Sequence, residues 1–250
     1  MLTVCSGFHP AGYAQYGKRF LATFHKHWPA EVNLVVYAEE KVKVPRGECR
    51  SLWACAGARD FYEKHKDVAE HCGRKVRQGW REKDKERGYC YRFDSVKFFK
   101  QLMIPEAAAE GLETDSVLVW LDADVFTFAD VPLSLVPDML GDADVCYLGR
   151  PGTHSEIGFW AVRLNARTRK FLFDLAEIYR SGEVFALREW HSAFVFDHVR
   201  QQNERFGLKG NNITPKGRRH VWFQSPLAKY ADHVKGDARK QLGFSPVHTR

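Results

Sequence analysis

Short unbroken apolar runs alternate along this chain with stretches in which apolar residues return every third or fourth position. Runs of the first kind, rich in β-branched residues, suit strands buried on both faces, and stretches of the second kind suit amphipathic helices. Leu2-Thr3-Val4-Cys5 predicts a first strand, and the Gly/Pro-containing stretch 6–12 predicts a loop after it. A helix is predicted over 13–27, with Phe20, Leu21 and Phe24 on one face and Trp28-Pro29 closing it. Val32-Asn33-Leu34-Val35-Val36-Tyr37 predicts a second strand, which makes a βαβ opening.

Residues 39–90 carry a weaker pattern. A short strand around 51–53 and a helix over 58–71 fit it, and the cation-rich stretch 73–91 reads as an inserted loop. Next comes a helix predicted over 92–109, with Phe93, Val96, Phe99, Leu102 and Met103 facing inward. Strands are predicted over 116–121, 143–148 and 158–164. Asn165 then starts a helix carrying Phe171, Leu172, Leu175, Ile178 and Tyr179. Trp190, Phe194, Val195 and Val199 repeat that spacing in a further helix. From Gly207 onward the pattern predicts loops, a segment bearing Trp222, and a short terminal helix. The sum is one α/β domain over 1–250: a mixed, mostly parallel sheet flanked by helices, with a basic insertion at 73–91 and a basic segment at 208–250.

The run Val117-Leu118-Val119-Trp120-Leu121 ends in Asp122-Ala123-Asp124. Two ionised carboxylates at the end of a buried strand repel each other unless a cation lies between them. A hard divalent cation fills that role and also holds phosphates. The carboxyl ends of parallel strands are where open α/β sheets bind their ligands. Turn chemistry alone would also place Asp residues after a strand.

The formal net charge of +7 and a pI of about 9.1 change the picture by naming a kind of partner. The excess gathers at Arg74, Lys75, Arg77, Arg81, Lys83, Lys85 and Arg87, and again from Lys209 onward. Such patches suit a polyanion or a diphosphate. The 44% hydrophobic and 14% aromatic content supplies a packed core and excludes global disorder. No stretch is long and apolar enough to span a bilayer, and the opening residues show no secretory pattern. A soluble, cytoplasmic protein is therefore expected. The six cysteines are scattered, with no Cys-x-x-Cys pair. Cys49, Cys55, His71 and Cys72 match no standard zinc spacing, so reduced core thiols are expected.

Five pieces stand out in order: Arg92-x4-Lys97, Asp122-Ala123-Asp124, Glu156-x-Gly158-Phe159, Glu189-Trp190-His191 and His233-Val234-Lys235-Gly236. Together they resemble the nucleotide-sugar-dependent glycosyltransferases of the GT-A (Rossmann-like) fold, and most of all the retaining family 8 type, over 92–200 with an echo at 233–240. The resemblance implies that Asp122, Asp124 and His233 bind Mn²⁺ or Mg²⁺, with Asp122 also near the donor. It implies a nucleoside diphosphate sugar donor, a UDP-sugar by analogy, contacted by Phe8, Arg92, Lys97, Asp122, Lys235, Gly236 and Arg239. The family carries His-x-x-Gly-x-x-Lys at its C-terminal motif. Here Arg239 stands at the final position and Lys240 follows it, so Lys235, Arg239 and Lys240 are alternative phosphate contacts.

The same resemblance places Glu156, Gly158, Glu189 and Trp190 beside the transferred sugar or acceptor, with Glu189, His191 and Asp122 as catalytic candidates. The Asp-Gln pair that the family carries near the sugar is replaced here by Glu189-Trp190-His191. It implies a hexosyltransferase-like enzyme acting with retention, whereas inversion would need Glu189, His191 or Asp197 as base. The basic segments suit an anionic acceptor, either nucleic acid with a hydroxylated base, as in DNA modification, or an anionic glycan.

Three other readings fit less. In a haloacid-dehalogenase-type phosphatase the Asp pair would lie near the N-terminus, and Phe126 would be Thr or Val. A nucleotidyltransferase would have a Gly-rich basic signature where Ser6-Gly7-Phe8-His9 stands. A non-catalytic polyanion-binding protein using Trp80, Tyr89 and Tyr91 for stacking leaves the carboxylates unexplained.

Overall fold

A computed structural model of the chain describes residues 1–76, 80–216 and 221–235. The strands are β1 (Leu2–Phe8), β2 (Asn33–Ala38), β3 (Glu48–Ser51), β4 (Val117–Leu121), β5 (Val125–Thr127), β6 (Val145–Leu148), β7 (Glu156–Arg163), β8 (Gly210–Asn212) and β9 (Ala231–His233). The helices are α1 (Pro10–Gly12), α2 (Lys18–His27), α3 (Ala58–His65), α4 (Glu82–Glu86), α5 (Ser95–Phe98), α6 (Lys100–Ala109), α7 (Leu135–Leu140), α8 (Ala166–Arg180) and α9 (Ser192–Arg205). A π-helical turn, Tyr13–Gly17, joins α1 to α2, so the first helical stretch begins at Pro10, earlier than its pattern predicts.

Seven strands form one sheet in the order β3-β2-β1-β4-β7-β6-β8, and β7 alone among them runs against the rest. This is the mixed, mostly parallel α/β sheet flanked by helices expected of a GT-A (Rossmann-like) fold. Strand β4 explains the layering. Leu118 and Trp120 enter one core with Phe99, Leu102, Trp160, Phe171 and Phe196, under α3, α6, α8 and α9. Val117, Val119 and Leu121 enter the other with Phe20, Phe24, Trp28, Met139 and Trp222, beneath α2 and α7. An all-apolar strand is what a two-sided core requires. The periodic pattern of α8 is also met: Asn165 accepts the Thr168 amide, and the Thr168 hydroxyl accepts the Asn165 amide, a reciprocal N-terminal cap.

Other elements depart from the pattern. The helix predicted over 92–109 is broken, because the Asp94 carboxylate caps a new start by accepting the Lys97 amide. The helix predicted over 58–71 ends at His65 and continues as turns to Cys72, which bridges to Asp94. Trp190 precedes α9 rather than lying in it. The described part of the basic stretch 73–91 is tied down: Trp80, Asp84 and Cys90 are buried, and Arg81 binds Asp84 at 2.7 Å. The six cysteines are free thiols, five of them buried. The predicted terminal helix lies outside the described residues. Among the described residues no helix is long and apolar enough to cross a membrane.

One small feature positions the site. Past the end of β4 the chain turns and forms β5, which pairs antiparallel with β9 in a separate two-stranded ribbon. Val125 faces His233 in that pairing, so a residue from the far end of the chain arrives beside Asp124.

Candidate functional site

The Asp122 amide donates to the Gly158 carbonyl at 2.9 Å, which carries the β4–β7 ladder one residue beyond the strand and fixes the backbone of the first carboxylate. On the side chain, Oδ1 of Asp122 accepts from Gln101 Nε2 at 2.8 Å and from Trp120 Nε1 at 3.0 Å. His233 Nε2 lies 3.7 Å from the other oxygen, Oδ2, and 3.1 Å from Asp124 Oδ1. The structure thus brings Asp122, Asp124 and His233 together at the carboxyl edge of the parallel strands. Their ligand atoms all lie within 4.8 Å of one another.

The electrostatics show why a cation suits this place. Burial, then the neighbouring Asp124, pushes the Asp122 carboxyl up to about 6, against the opposing pull of His233 and Lys235. Burial would lower His233, but Asp124, Glu156 and Asp122 outweigh it and raise the imidazole above its ordinary value. Tyr16 is raised as well, by burial and then by Asp124 and Asp122. Two carboxylates and one imidazole form a donor set suited to Mn²⁺, and less strictly to Mg²⁺, since imidazole is a softer ligand than oxygen. The residues therefore fit the divalent ion that the sequence resemblance implies. Tyr16 and Asp124 also line a small cavity of about 30 Å³ with Gln15, Arg19 and Phe126.

Gly158 and Glu156 form the wall behind His233. A Cβ at Gly158 would lie 2.5 Å from His233 Cε1, so the imidazole rests on bare backbone. Glu156 is 1% exposed and accepts from Lys235 Nζ at 2.9 and 2.8 Å. Burial pushes its carboxyl up, but the charges of Lys235 and His233 prevail and hold it down at about 2. Lys235 is itself raised, the Glu156 charge outweighing burial.

A second cluster lies beside the first. Glu189 Oε2 is 3.0 Å from His191 Nε2 and 3.3 Å from His154 Nε2, while Oε1 is 3.8 Å from the Arg92 guanidinium. Burial would raise Glu189, but the two imidazoles hold it well below the ordinary carboxylate range. His191 is lowered, burial outweighing the attraction of Glu189. The two clusters are connected through Gln101. Its amide nitrogen serves Asp122, and its carbonyl oxygen accepts from the Ser192 hydroxyl at the start of α9, next to His191.

The remaining expected residues are placed as follows. Phe8 is buried at the end of β1 and stacks on Tyr13. Arg92 is half-buried between Asp84 and Glu189, and its carbonyl accepts from the Trp190 amide at 2.7 Å. Lys97 is exposed on α5, with its ammonium 5.5 Å from the Phe98 ring centre. Trp190 is a core residue: it packs against Phe93, Phe185 and His71, and its indole donates to the Leu187 carbonyl. Asp197 is taken up by the Ser155 amide and hydroxyl and by Arg200. Gly236, Arg239 and Lys240 lie outside the described residues.

Sequence reasoning missed Gln101, Ser192, His154, Tyr16 and the indole N–H of Trp120. Only Trp120, at i−2 from Asp122 on an alternating strand, carried a local signal. A cavity of about 370 Å³ between α3 and α8 includes none of the expected site residues. Its Arg180 is already bound to Glu106 and Glu177.

No protein-family model matches the chain, and no curated protein matches it in sequence. Among solved structures, the chain is similar to the apo form of mouse xyloside xylosyltransferase 1. That likeness has 9% identity, covers 91% of each chain and has a TM-score of 0.49.

Proposed function

We propose that this protein is a metal-dependent glycosyltransferase that moves a sugar from a nucleoside diphosphate sugar, a UDP-sugar by analogy, to an acceptor hydroxyl. The observation that carries the proposal is the convergence of Asp122, Asp124 and His233 from two distant parts of the chain, at the sheet edge where such folds bind ligands. Mn²⁺ or Mg²⁺ held there would supply Lewis-acid stabilisation of the departing diphosphate. This chain's own part is to orient the three ligands. Gln101 and Trp120 occupy Oδ1 of Asp122 and leave Oδ2 turned toward His233.

The family 8 likeness in the motifs favours retention of anomeric configuration. The second cluster fits that outcome in one respect: a carboxyl held far below its ordinary value is a weak base, so Glu189 is ill suited to deprotonate an acceptor. It is better suited, with His154 and His191, to hydrogen-bonding hydroxyl groups. The basic stretches support an anionic acceptor, nucleic acid or glycan.

The deciding experiment is a thermal-shift panel of nucleoside diphosphates and their sugars, with and without Mn²⁺. A ligand at about 100 times its Kd adds roughly 2.7 kcal/mol. Stabilisation by one nucleotide only with Mn²⁺ supports the proposal, and no shift with any nucleotide refutes it. The product anomer read by NMR decides retention. A salt titration of DNA binding tests the nucleic-acid acceptor, which an absence of affinity at low ionic strength removes.

A further inference from the structure

Glu156 has a place that sugar recognition does not explain. It is 1% exposed, its carboxylate faces inward from the first residue of β7, and both its oxygens accept from Lys235. Oε1 also accepts from the Gly158 amide at 3.3 Å and lies 3.8 Å from Nδ1 of His233. The opposite nitrogen of the same ring, Nε2, faces Asp124 and Asp122. The ring is confined sideways by bare backbone at Gly158 and by Trp222, whose centroid is 5.3 Å away.

A histidine can ligate a metal through Nε2 only when that nitrogen carries no proton, and the ring proton then resides on Nδ1. The Nδ1–H needs an acceptor, and a carboxylate in that position both fixes the tautomer and raises the basicity of the ligand. Glu156 is the carboxylate on that side, its Oε1 at 3.8 Å, within ion-pair reach and longer than a hydrogen bond. The Lys235 ammonium meets both Glu156 oxygens, at 2.9 and 2.8 Å, and holds the carboxylate on that side of the ring.

We propose that Glu156 is a positioning residue for His233, selecting the tautomer protonated on Nδ1 so that Nε2 is presented to a divalent ion shared with Asp122 and Asp124. This rests on the metal-dependent reading of the site. It gives Lys235 a role as the counter-ion that holds Glu156 in place.

Titration calorimetry of Mn²⁺ alone, without nucleotide, into wild type and Glu156→Gln is the first test. Loss of an outer-shell partner of this kind weakens metal binding by about 10–100-fold, and that loss is expected here. Unchanged affinity in a folded Glu156→Gln overturns the proposal. The second test uses only wild type: ¹⁵N NMR of the ring with diamagnetic Cd²⁺ bound. Nδ1 protonated and Nε2 shifted by metal supports the assignment, while Nε2 protonated overturns it even where the variant fails to fold. Wild type that binds no Mn²⁺ at all refutes the metal reading itself. Wild-type binding with an indifferent variant refutes the role of Glu156 alone.

Discussion

The repulsion inside the Asp pair gives a sign-definite prediction for the metal-free protein. Asp122→Asn keeps the shape of the side chain, and its carbonyl oxygen still accepts from Gln101 and Trp120. It removes the charge that burial and Asp124 disfavour. An unfolded aspartate titrates near 3.9, and the folded one is raised to about 6. Stability linked to a raised carboxyl is fully present below the unfolded value and is lost as pH rises through the folded one. Wild type should therefore be penalised relative to Asn by about 3 kcal/mol at pH 8, by less at pH 5 and by little at pH 4. For a chain of this size that is roughly 6–12 °C in Tm at pH 8. Melts in EDTA across pH 4–8 read it directly. Mn²⁺ should reverse the order at pH 8, raising wild type and leaving the variant unmoved. A variant no more stable than wild type at pH 8, or an advantage that fails to shrink on acidification, refutes the electrostatic account of the site.

Asp124→Asn and His233→Ala should each abolish Mn²⁺-dependent nucleotide binding while far-UV circular dichroism stays unchanged; undiminished turnover in either refutes the ligand set. Gly158→Ala should displace the His233 ring, because the new Cβ would fall 2.5 Å from Cε1. Denaturant melts should show a cost of about 1–3 kcal/mol, and calorimetry a weakened Mn²⁺ site. Mn²⁺ affinity should rise with pH from 5 to 8, as Asp122 ionises around 6 and the raised His233 releases its proton; a flat profile excludes proton competition at these ligands. Asn165→Ala should cost about 1 kcal/mol by removing the cap of α8, seen as a lower melting temperature with no change in Mn²⁺ affinity.

The central sheet was legible in the sequence because its information is local. β1, β2, β4, β6 and β7 are apolar runs long enough to declare a strand without help. β8, whose sequence is Gly-Asn-Asn, and β9 were not legible: each has three residues and exists through its partner, β6 for one and β5 for the other. The break after Phe93 was hidden because Phe93, Phe99, Leu102 and Met103 all turn inward. They keep a helical spacing across a chain that Asp94 has interrupted. Trp190 deceived for a related reason. Its spacing to Phe194 is helical, but the residue plugs the core just before α9 begins.

The site divides along the same line. The Asp pair could be read because strand and carboxylates are contiguous, and His233 because its short motif resembles a known one. What holds these residues is not contiguous. Gln101 lies 21 residues before Asp122 and 91 before Ser192, and Lys235 is 79 residues from Glu156. A carboxylate two residues before a glycine gives no local sign of whether it faces a substrate or a lysine, and only the fold decides. This bears on how the two clusters act. Because one carboxamide serves Asp122 with its nitrogen and Ser192 with its oxygen, a shift of α9 that withdrew the Ser192 hydroxyl would release the Gln101 amide as well. The orientation of the Asp122 carboxylate and the start of α9, next to His191, are therefore linked through a single side chain.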